Sequence, residues 1–514
     1  MQEIMHLREN KMIYYTLSGY IDALKECGIY VGDTLSDSGK TVRYLSFDSR
    51  DIKEDTLFIA KGLHFREEYL DSAMKNGACA YVAQAQIGGR PESITVTDIR
   101  LAMTVLAQKF WNDPQRYLHM FGITGTKGKT TTSAYLRRIL DLDAEKNGRH
   151  CCGIMNSTDM FDGEKRIASL ITTPEAPDFW KCLAAGAENG VGNFVCECSS
   201  QAFKYGRVAR VHFDIACITN VGCDHISAAE HADWEDYFTS KLKIFDLCRT
   251  AVINIDDEHA DRTLAYVRGR RRIITFGSTP EADVYSRNIS KKSDGIYFET
   301  VTPEGVTPMK LSMLGLFNVK NAVAATAMAY AAGIPAQTCA EALADIKILG
   351  RMTDLSSKDG KVAVLVDHAH NKLSFETLFD SVEQEFPGRD YIVVFGWNGS
   401  KVYDRRRDVG TITGRRAALT VICEWDSNDE PFEHIAEEAA SWIEKAGGKY
   451  VIVRDRAEAF GYAVNVPVSG DKRLILFCGR GDEDFQRKGG KIYPYPLDVD
   501  IASAALEEYD RCHG

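Results

Sequence analysis

The run Met120 to Thr132, MFGITGTKGKTTT, holds the residues best suited to chemistry. An apolar stretch, LHMFGIT, breaks into glycine-spaced small residues and then opens a helix-like segment, SAYLRRILDL. That is the layout of a phosphate-binding loop. Backbone N–H groups freed by Gly125 and Gly128 converge on phosphate oxygens, the helix N-terminus adds its positive end, and Lys129 adds a full charge. Thr126 and Thr131 lie in the same loop as nucleotide contacts, and Thr130 has its hydroxyl placed for a magnesium ion. The spacing is shorter than the general G-x-x-x-x-G-K-[ST], because Ile123 stands five residues before Gly128. A bare glycine-rich turn between strand and helix is the simpler alternative, and Gly-Lys-Thr-Thr at the helix start weighs against it.

Such a loop needs a sheet behind it. From about Leu118 to Gly350, strand-like runs FGITG, GNFVCEC, FDIACITNV, RTAVINIDD and RRIITFG alternate with helical ones, which predicts a mainly parallel sheet with ligands at the strand C-termini. Glu197, His225 and Lys241 fall at or after such ends. A second alternating block after Arg351, with KVAVLVD, DYIVVFG, ALTVIC, KYVIVRD and RLILFCG, predicts a Rossmann-like sheet. Before the loop, YLSFDSRDIKEDTLFIA and ACAYVAQA predict a small α/β module. The expected fold is therefore α/β in three domains, 1–117, 118–350 and 351–514.

With 514 residues and 45% hydrophobic content the chain can bury ample core. A net charge of −11 disfavours nucleic acid as a partner, so positive charge must be local, as at Lys127 and Lys129. Fourteen scattered cysteines without a C-x-x-C fit reduced thiols rather than a zinc ribbon. The sequence shows neither a signal-like start nor a membrane-length apolar run, so a cytoplasmic monomer without a membrane partner is expected.

Several stretches, G-T-K-G-K-T-T, ITTPE, ECSSQAF, TNVGCDH, LGLFNVKNA and LGRM, together resemble the Mur ligases, over nearly the whole chain and in order. Within that family the long N-terminal module and ITTPE resemble the type that adds the third amino acid to UDP-N-acetylmuramoyl-L-alanyl-D-glutamate. The resemblance implies ATP and Mg2+, an acyl phosphate, and attack on it by the amine of a free amino acid. It implies that Lys129 holds phosphates, that Thr130 and Glu197 hold one magnesium ion, and that His225 joins a second magnesium site. It implies that Lys241 is carbamylated by carbon dioxide and sits beside the metal. Without the resemblance, Lys241 reads as a solvated lysine on an amphipathic helix, like Lys243.

The same resemblance puts Thr172, Thr173, Ser199 and Arg207 on the muramoyl peptide, and Ser46, with Ser49 and Arg50 of the Asp48-Ser49-Arg50 turn, near the uridine. Asn318, Asn321, Arg351, Asp367 and His370 would meet ATP as a C-terminal domain closes over an intermediate that water would destroy. Where diaminopimelate-adding relatives carry D-N-P-R, this chain has Glu424-Trp425-Asp426-Ser427, without an arginine. Carboxylates there suit a side-chain ammonium and disfavour diaminopimelate, so L-lysine is the expected acceptor, with another diamino acid, ornithine or meso-diaminopimelate, as the alternative. Arg406 is the candidate for the acceptor's α-carboxylate, and Glu483 of GRGDE for its amine. Competing readings are a folylpolyglutamate-type ligase, whose phosphate loop lies nearer its N-terminus, a precursor-sensing paralogue, and an ATPase without a carboxylate acceptor.

Overall fold

The computed structural model of the chain describes residues 13–62, 65–169, 171–222, 224, 226, 230–292, 294–400 and 403–513. Two compact units emerge, one of residues 1–221, 233–276 and 324–338, the other of residues 222–232, 277–323 and 339–514.

The first unit carries two sheets. The N-terminal sheet has the order Tyr30–Asp33, Ser93–Val96, Ala78–Ala83, Thr56–Ile59, Tyr44–Ser46. Its last two strands, β1 (Tyr44–Ser46) and β2 (Thr56–Ile59), run parallel. At the centre of the second sheet lies β3 (His119–Thr124), which leads into α1 (Lys129–Lys146). β3 pairs in parallel with β4 (Asn193–Glu197) on one side and β5 (Phe213–Ile218) on the other. The connections thus diverge to opposite sides of β3, and an open α/β sheet makes its ligand crevice at such a switch point. All three strands read as nearly continuous apolar runs because helices cover both faces.

The second unit contains a six-stranded sheet in the order Thr353–Ser356, Val362–Asp367, Arg473–Cys478, Asp390–Phe395, Leu419–Ile422, Tyr450–Ile452, parallel except for its first strand. Period-two alternation sorts its core. Val362, Val364 and Val366 pack with Phe460, Ala463 and Leu506 on one face, while Ala363 and Leu365 pack with Phe375, Phe379 and Ile435 on the other. Each fully buried valine or leucine contributes about 1.5–3 kcal/mol, so a charged side chain at Val364 would break the layer. The antiparallel strands Val284–Lys292, Gly295–Thr302 and Gly305–Leu311 were not expected from the sequence, although Gly295–Thr302 alternates buried Ile296, Phe298, Thr300 and Thr302 with half-buried residues; the first strand is mostly exposed and carries little apolar signal. Among the described residues no helix is long and apolar enough to cross a membrane.

Candidate active site

The phosphate loop fills residues 125–128 between β3 and α1. Gly128 caps the helix at φ 80°, and Gly125 has φ 153°. A Cβ on Gly125 would run into the Thr219 hydroxyl, so both positions call for glycine. The loop is held from the end of β5. The Asn220 side chain accepts from the Lys127 N–H and donates to its carbonyl, both at 2.9 Å, and the Thr219 hydroxyl donates to that carbonyl at 2.7 Å. Sequence reasoning passes over Thr219 and Asn220, although their place at a strand end beside the loop is the signal that finds them. Lys129 Nζ donates to the carbonyls of Gly125 and Thr126 at 3.0 and 3.3 Å, so its ammonium is held against the loop. Thr126 contacts the Tyr237 hydroxyl at 3.0 Å, and Thr131 is buried in the first turn of α1.

Glu197, the last residue of β4, is buried. Its carboxylate accepts from the Thr130 hydroxyl at 3.0 Å, from the Ser157 N–H at 3.0 Å and from the Ser157 hydroxyl at 3.1 Å. Thr130 and Glu197 therefore present two hard oxygen donors side by side at the loop, a set that fits magnesium. Among the described residues no group of three or more His, Cys, Asp or Glu could hold a metal, and magnesium is the cation that needs few protein ligands because it keeps water and phosphate oxygens.

Lys241 lies near the end of α2 (Trp234–Leu242), whose first turn is capped by Asp233 accepting from the Asp236 N–H. It is buried whereas Lys243 is exposed, so it is not the solvated lysine that its helix suggests. Its ammonium donates to the Gly125 carbonyl at 2.8 Å and lies 4.5 Å from the centre of the Tyr237 ring.

The ITTPE segment joins the same strand ends. The Thr173 hydroxyl donates to the Glu197 carbonyl and accepts from the Ser199 N–H, each at 2.9 Å, and the Thr172 and Ser157 hydroxyl oxygens lie 3.1 Å apart. Ser199 caps the short helix Ser200–Lys204 by accepting from Ala202 N. Arg207 donates to the Thr173 carbonyl at 3.2 Å and pairs with Glu175 at 2.9 Å. Burial works against ionisation of Glu175, yet Arg207 and Lys61 together hold its carboxyl below the usual value. Within the N-terminal sheet, Ser46 is buried at the end of β1, its hydroxyl donating to the Asp48 carbonyl and accepting the Asp48 N–H at 3.1 Å. Ser49 is half-buried, and Arg50 is exposed and paired with Asp48 at 2.7 Å.

In the second unit, polar groups gather at the strand ends of its sheet. Asp367, ending the strand Val362–Asp367, accepts from the N–H groups of Met352 and Ala369 at 2.9 and 2.8 Å. His368 and His370 follow, with ring centres 4.9 Å apart and the Trp425 ring next to both. Among the described residues the buried Nε of Arg351 has no hydrogen-bond partner. Asn318 and Asn321 are buried on the helix Phe317–Ala331, the first donating to the Leu314 carbonyl at 2.6 Å and the second to Asn318 Oδ1 at 3.0 Å. Asp224 takes the Asn371 side-chain amide at 2.6 Å and pairs with Arg405 at 3.4 Å. His225 lies outside the described residues.

Three expectations for the acceptor pocket need correction. Arg406 is not available for a substrate carboxylate: its side chain is only 1% exposed and is clasped by Glu430 and Glu438, each at 2.6 Å. The guanidinium holds the Glu430 carboxyl down at about 2. Glu424 and Asp426 are not an open acidic pair either. Glu424 accepts from Ser427, Lys488 and Arg454 at 2.7, 2.9 and 3.1 Å, and Asp426 accepts from the N–H and guanidinium of Arg487 at 2.8 and 2.7 Å. Burial alone would raise the Glu424 carboxyl, and those partners bring it below its usual value. Glu483 differs: it accepts from the Trp425 indole N–H at 3.0 Å, and burial, with Asp426 close by, pushes its carboxyl up to about 7.

Comparison with known proteins identifies the family. Residues 123–329 match the Mur ligase middle domain, and residues 350–481 match the Mur ligase, glutamate ligase domain. The chain is 34% identical to the UDP-N-acetylmuramoyl-L-alanyl-D-glutamate--L-lysine ligase of Enterococcus faecalis, over 92% of this chain and 94% of that protein. It is 35% identical to the UDP-N-acetylmuramyl-tripeptide synthetase of Lactococcus lactis, over 90% and 92% of the two chains. A solved UDP-N-acetylmuramoyl-L-alanyl-D-glutamate--2,6-diaminopimelate ligase shares the fold at TM-score 0.64 and 22% identity, over 97% of this chain and 99% of that one. A phosphate loop at the switch point, a hydroxyl and carboxylate beside it, and matching sequence along both α/β blocks lead to one conclusion: this chain belongs to the Mur ligases, ATP-dependent amide ligases.

Proposed function

We propose that the chain joins L-lysine to UDP-N-acetylmuramoyl-L-alanyl-D-glutamate in the cytoplasm, using ATP, as a step in building peptidoglycan precursors. The observation that supports this most is the convergence of Lys129, Thr130, Glu197, Lys241, Thr172 and Thr173 around one phosphate loop, linked by the hydrogen bonds given above. Relatives alike over nine-tenths of the chain carry the lysine-adding name.

In the reaction a glutamyl carboxylate oxygen attacks the γ-phosphorus of ATP, releasing ADP and leaving an acyl phosphate. The lysine amine then attacks the acyl carbon, and phosphate departs with that carboxylate oxygen. Lys129 and the loop N–H groups neutralise and orient the phosphates, and Thr172, Thr173, Ser199 and Arg207 orient the peptide. Thr130 and Glu197 would hold magnesium, which supplies charge neutralisation at the phosphoryl group. His225 is the proposed contributor to a second magnesium site.

Lys241 is the proposed carbamate. A carbamylated nitrogen keeps one N–H for the Gly125 carbonyl and adds a carboxylate-like group, exchanging a buried cation for a metal-facing anion. Glu483 is the carboxylate left for the acceptor's side-chain ammonium. Arg351, whose buried Nε lacks a partner among the described residues, is the candidate for a nucleotide or phosphate contact, alongside Asp367, His370, Asn318 and Asn321.

The test is phosphate release from ATP and magnesium with the precursor and, in separate reactions, L-lysine, L-ornithine or meso-diaminopimelate. Release with lysine supports the reading. Release with diaminopimelate alone would replace lysine by that acceptor, and release with no acceptor at all would favour a plain ATPase.

A further inference from the structure

Arg480 stands two residues beyond the end of the strand Arg473–Cys478, on the turn that carries Glu483. It grips Glu483 by both backbone groups. The Arg480 carbonyl accepts the Glu483 N–H at 3.2 Å, and Arg480 Nη2 folds back to donate to the Glu483 carbonyl at 2.6 Å. The same Arg480 carbonyl lies 3.1 Å from His368 Nδ1, which ties the turn to the next strand end. With its backbone held on both sides, Glu483 extends its carboxyl to the Trp425 indole N–H.

A buried network holds Arg480 in turn. Asp498, the first residue of the helix Asp498–His513, accepts from Arg456 Nε and Nη2 at 2.8 and 2.6 Å and pairs with Arg480 Nη1 at 3.6 Å, and all three side chains are 0% exposed. The Arg480 guanidinium lies 4.6 Å from the centre of the Tyr495 ring. Among the described residues its Nε and Nη1 have no hydrogen-bond partner, so Nη2 on the Glu483 carbonyl is where its hydrogen bonding goes. Asp498 already has Arg456 on both oxygens, so removing Arg480 would orphan no acid. Burying a second guanidinium is costly, and an apolar side chain would serve stability as well. Arg480 acts on Glu483 instead: burial and Asp426 oppose ionisation of that carboxyl, while Trp425, Arg487 and Arg480 favour it. Arg487 is paired with Asp426 at 2.7 Å, and Arg480 is the cation bonded to Glu483 itself.

We propose that Arg480 is a positioning residue for the acceptor amino acid: anchored by Asp498, it fixes the backbone of Glu483 so that the Glu483 carboxylate meets the acceptor's side-chain ammonium. The inference rests on the role given to Glu483 above, and it adds the residue that holds Glu483 in place. Arg480 itself is wholly buried and touches no substrate.

Steady-state kinetics of the full chain with ATP, magnesium, the precursor and L-lysine across pH test it, on the unaltered protein and on Arg480→Met, Arg480→Lys and Glu483→Gln. Arg480→Met is expected to raise the KM for lysine by about tenfold, the loss of one charge-assisted hydrogen bond, with the KM values for ATP and precursor unchanged. The pH at which the KM for lysine falls should move up by about one unit, because a cation beside Glu483 is gone. Arg480→Lys keeps that pH and raises the KM for lysine by less, about threefold. The inference is overturned if Arg480→Met raises the KM for ATP as much as that for lysine, if it leaves the KM for lysine intact, or if Arg480→Lys follows the pH profile of Arg480→Met. Should Arg480→Met not fold, Arg480→Lys decides: a rise confined to the KM for lysine supports the inference, and an equal rise for ATP overturns it. An unchanged KM for lysine in Glu483→Gln would remove the acceptor role of Glu483 and the inference with it, whereas a raised KM there beside an unmoved one in Arg480→Met removes the inference alone.

Discussion

Lys241 Nζ donates to the carbonyl oxygen of Gly125 at 2.8 Å, joining a buried helix lysine to the first glycine of the phosphate loop. The contact ties the Lys241 side chain to the loop, and Lys241 is the proposed carbamate. Lys241→Ala is expected to lower amide formation by about a hundredfold or more, with short carboxylic acids restoring part of it by occupying the carbamate's place. Lys243→Ala should change nothing. Carbon-13 NMR with labelled carbon dioxide checks the carbamate directly: a carbamate signal in the native chain that vanishes in Lys241→Ala is the predicted result.

Thr130 and Glu197 should act as a pair. Thr130→Val and Glu197→Gln are each expected to raise the magnesium concentration needed for half-maximal rate, and the double variant should be little worse than the more severe single one, because both changes remove the same ion. Rates measured across a magnesium titration decide this. Lys129→Ala should instead reduce the rate by about a hundredfold or more at any magnesium level.

Glu483 sets a pH dependence. Its folded carboxyl titrates at about 7 against an ordinary 4.5, so between those values the folded chain holds more protons than the unfolded one, and stability falls as pH rises through that window. Glu483→Gln should flatten the slope in denaturant melts. An acceptor ammonium needs the ionised form, so the KM for lysine should fall by about tenfold from about pH 6 to about pH 8, and Glu483→Gln should remove that fall.

Arg406 should prove structural. Removing its guanidinium leaves Glu430 and Glu438 without their buried partner, so Arg406→Met is expected to lower stability by about 3 kcal/mol, read by chemical denaturation. Among molecules still folded, the KM for lysine should be nearly unchanged.

The phosphate loop and the parallel strands of both α/β blocks were legible because glycine punctuation and apolar runs are local signals. The acceptor pocket was legible only in part. The acids Glu424 and Asp426 show in the sequence, but the groups that neutralise them, Arg454, Arg487 and Lys488, arrive from later segments that only the fold brings near. Within Arg405-Arg406-Arg407, the burial of the middle residue depends on carboxylates at and before the helix Phe432–Lys445, so a run of arginines gives no sign of it. Lys241 and Lys243 look alike in the sequence, and packing alone makes one buried and the other exposed.

The most direct test of the central claim follows an oxygen atom. With oxygen-18 in the glutamyl carboxylates of UDP-N-acetylmuramoyl-L-alanyl-D-glutamate, plus ATP, magnesium and L-lysine, mass spectrometry should find one labelled oxygen in each phosphate released and a nucleotide product heavier by one lysyl residue. Unlabelled phosphate with an unchanged precursor mass would contradict acyl-phosphate ligation, because ATP would then be giving up its phosphate to water.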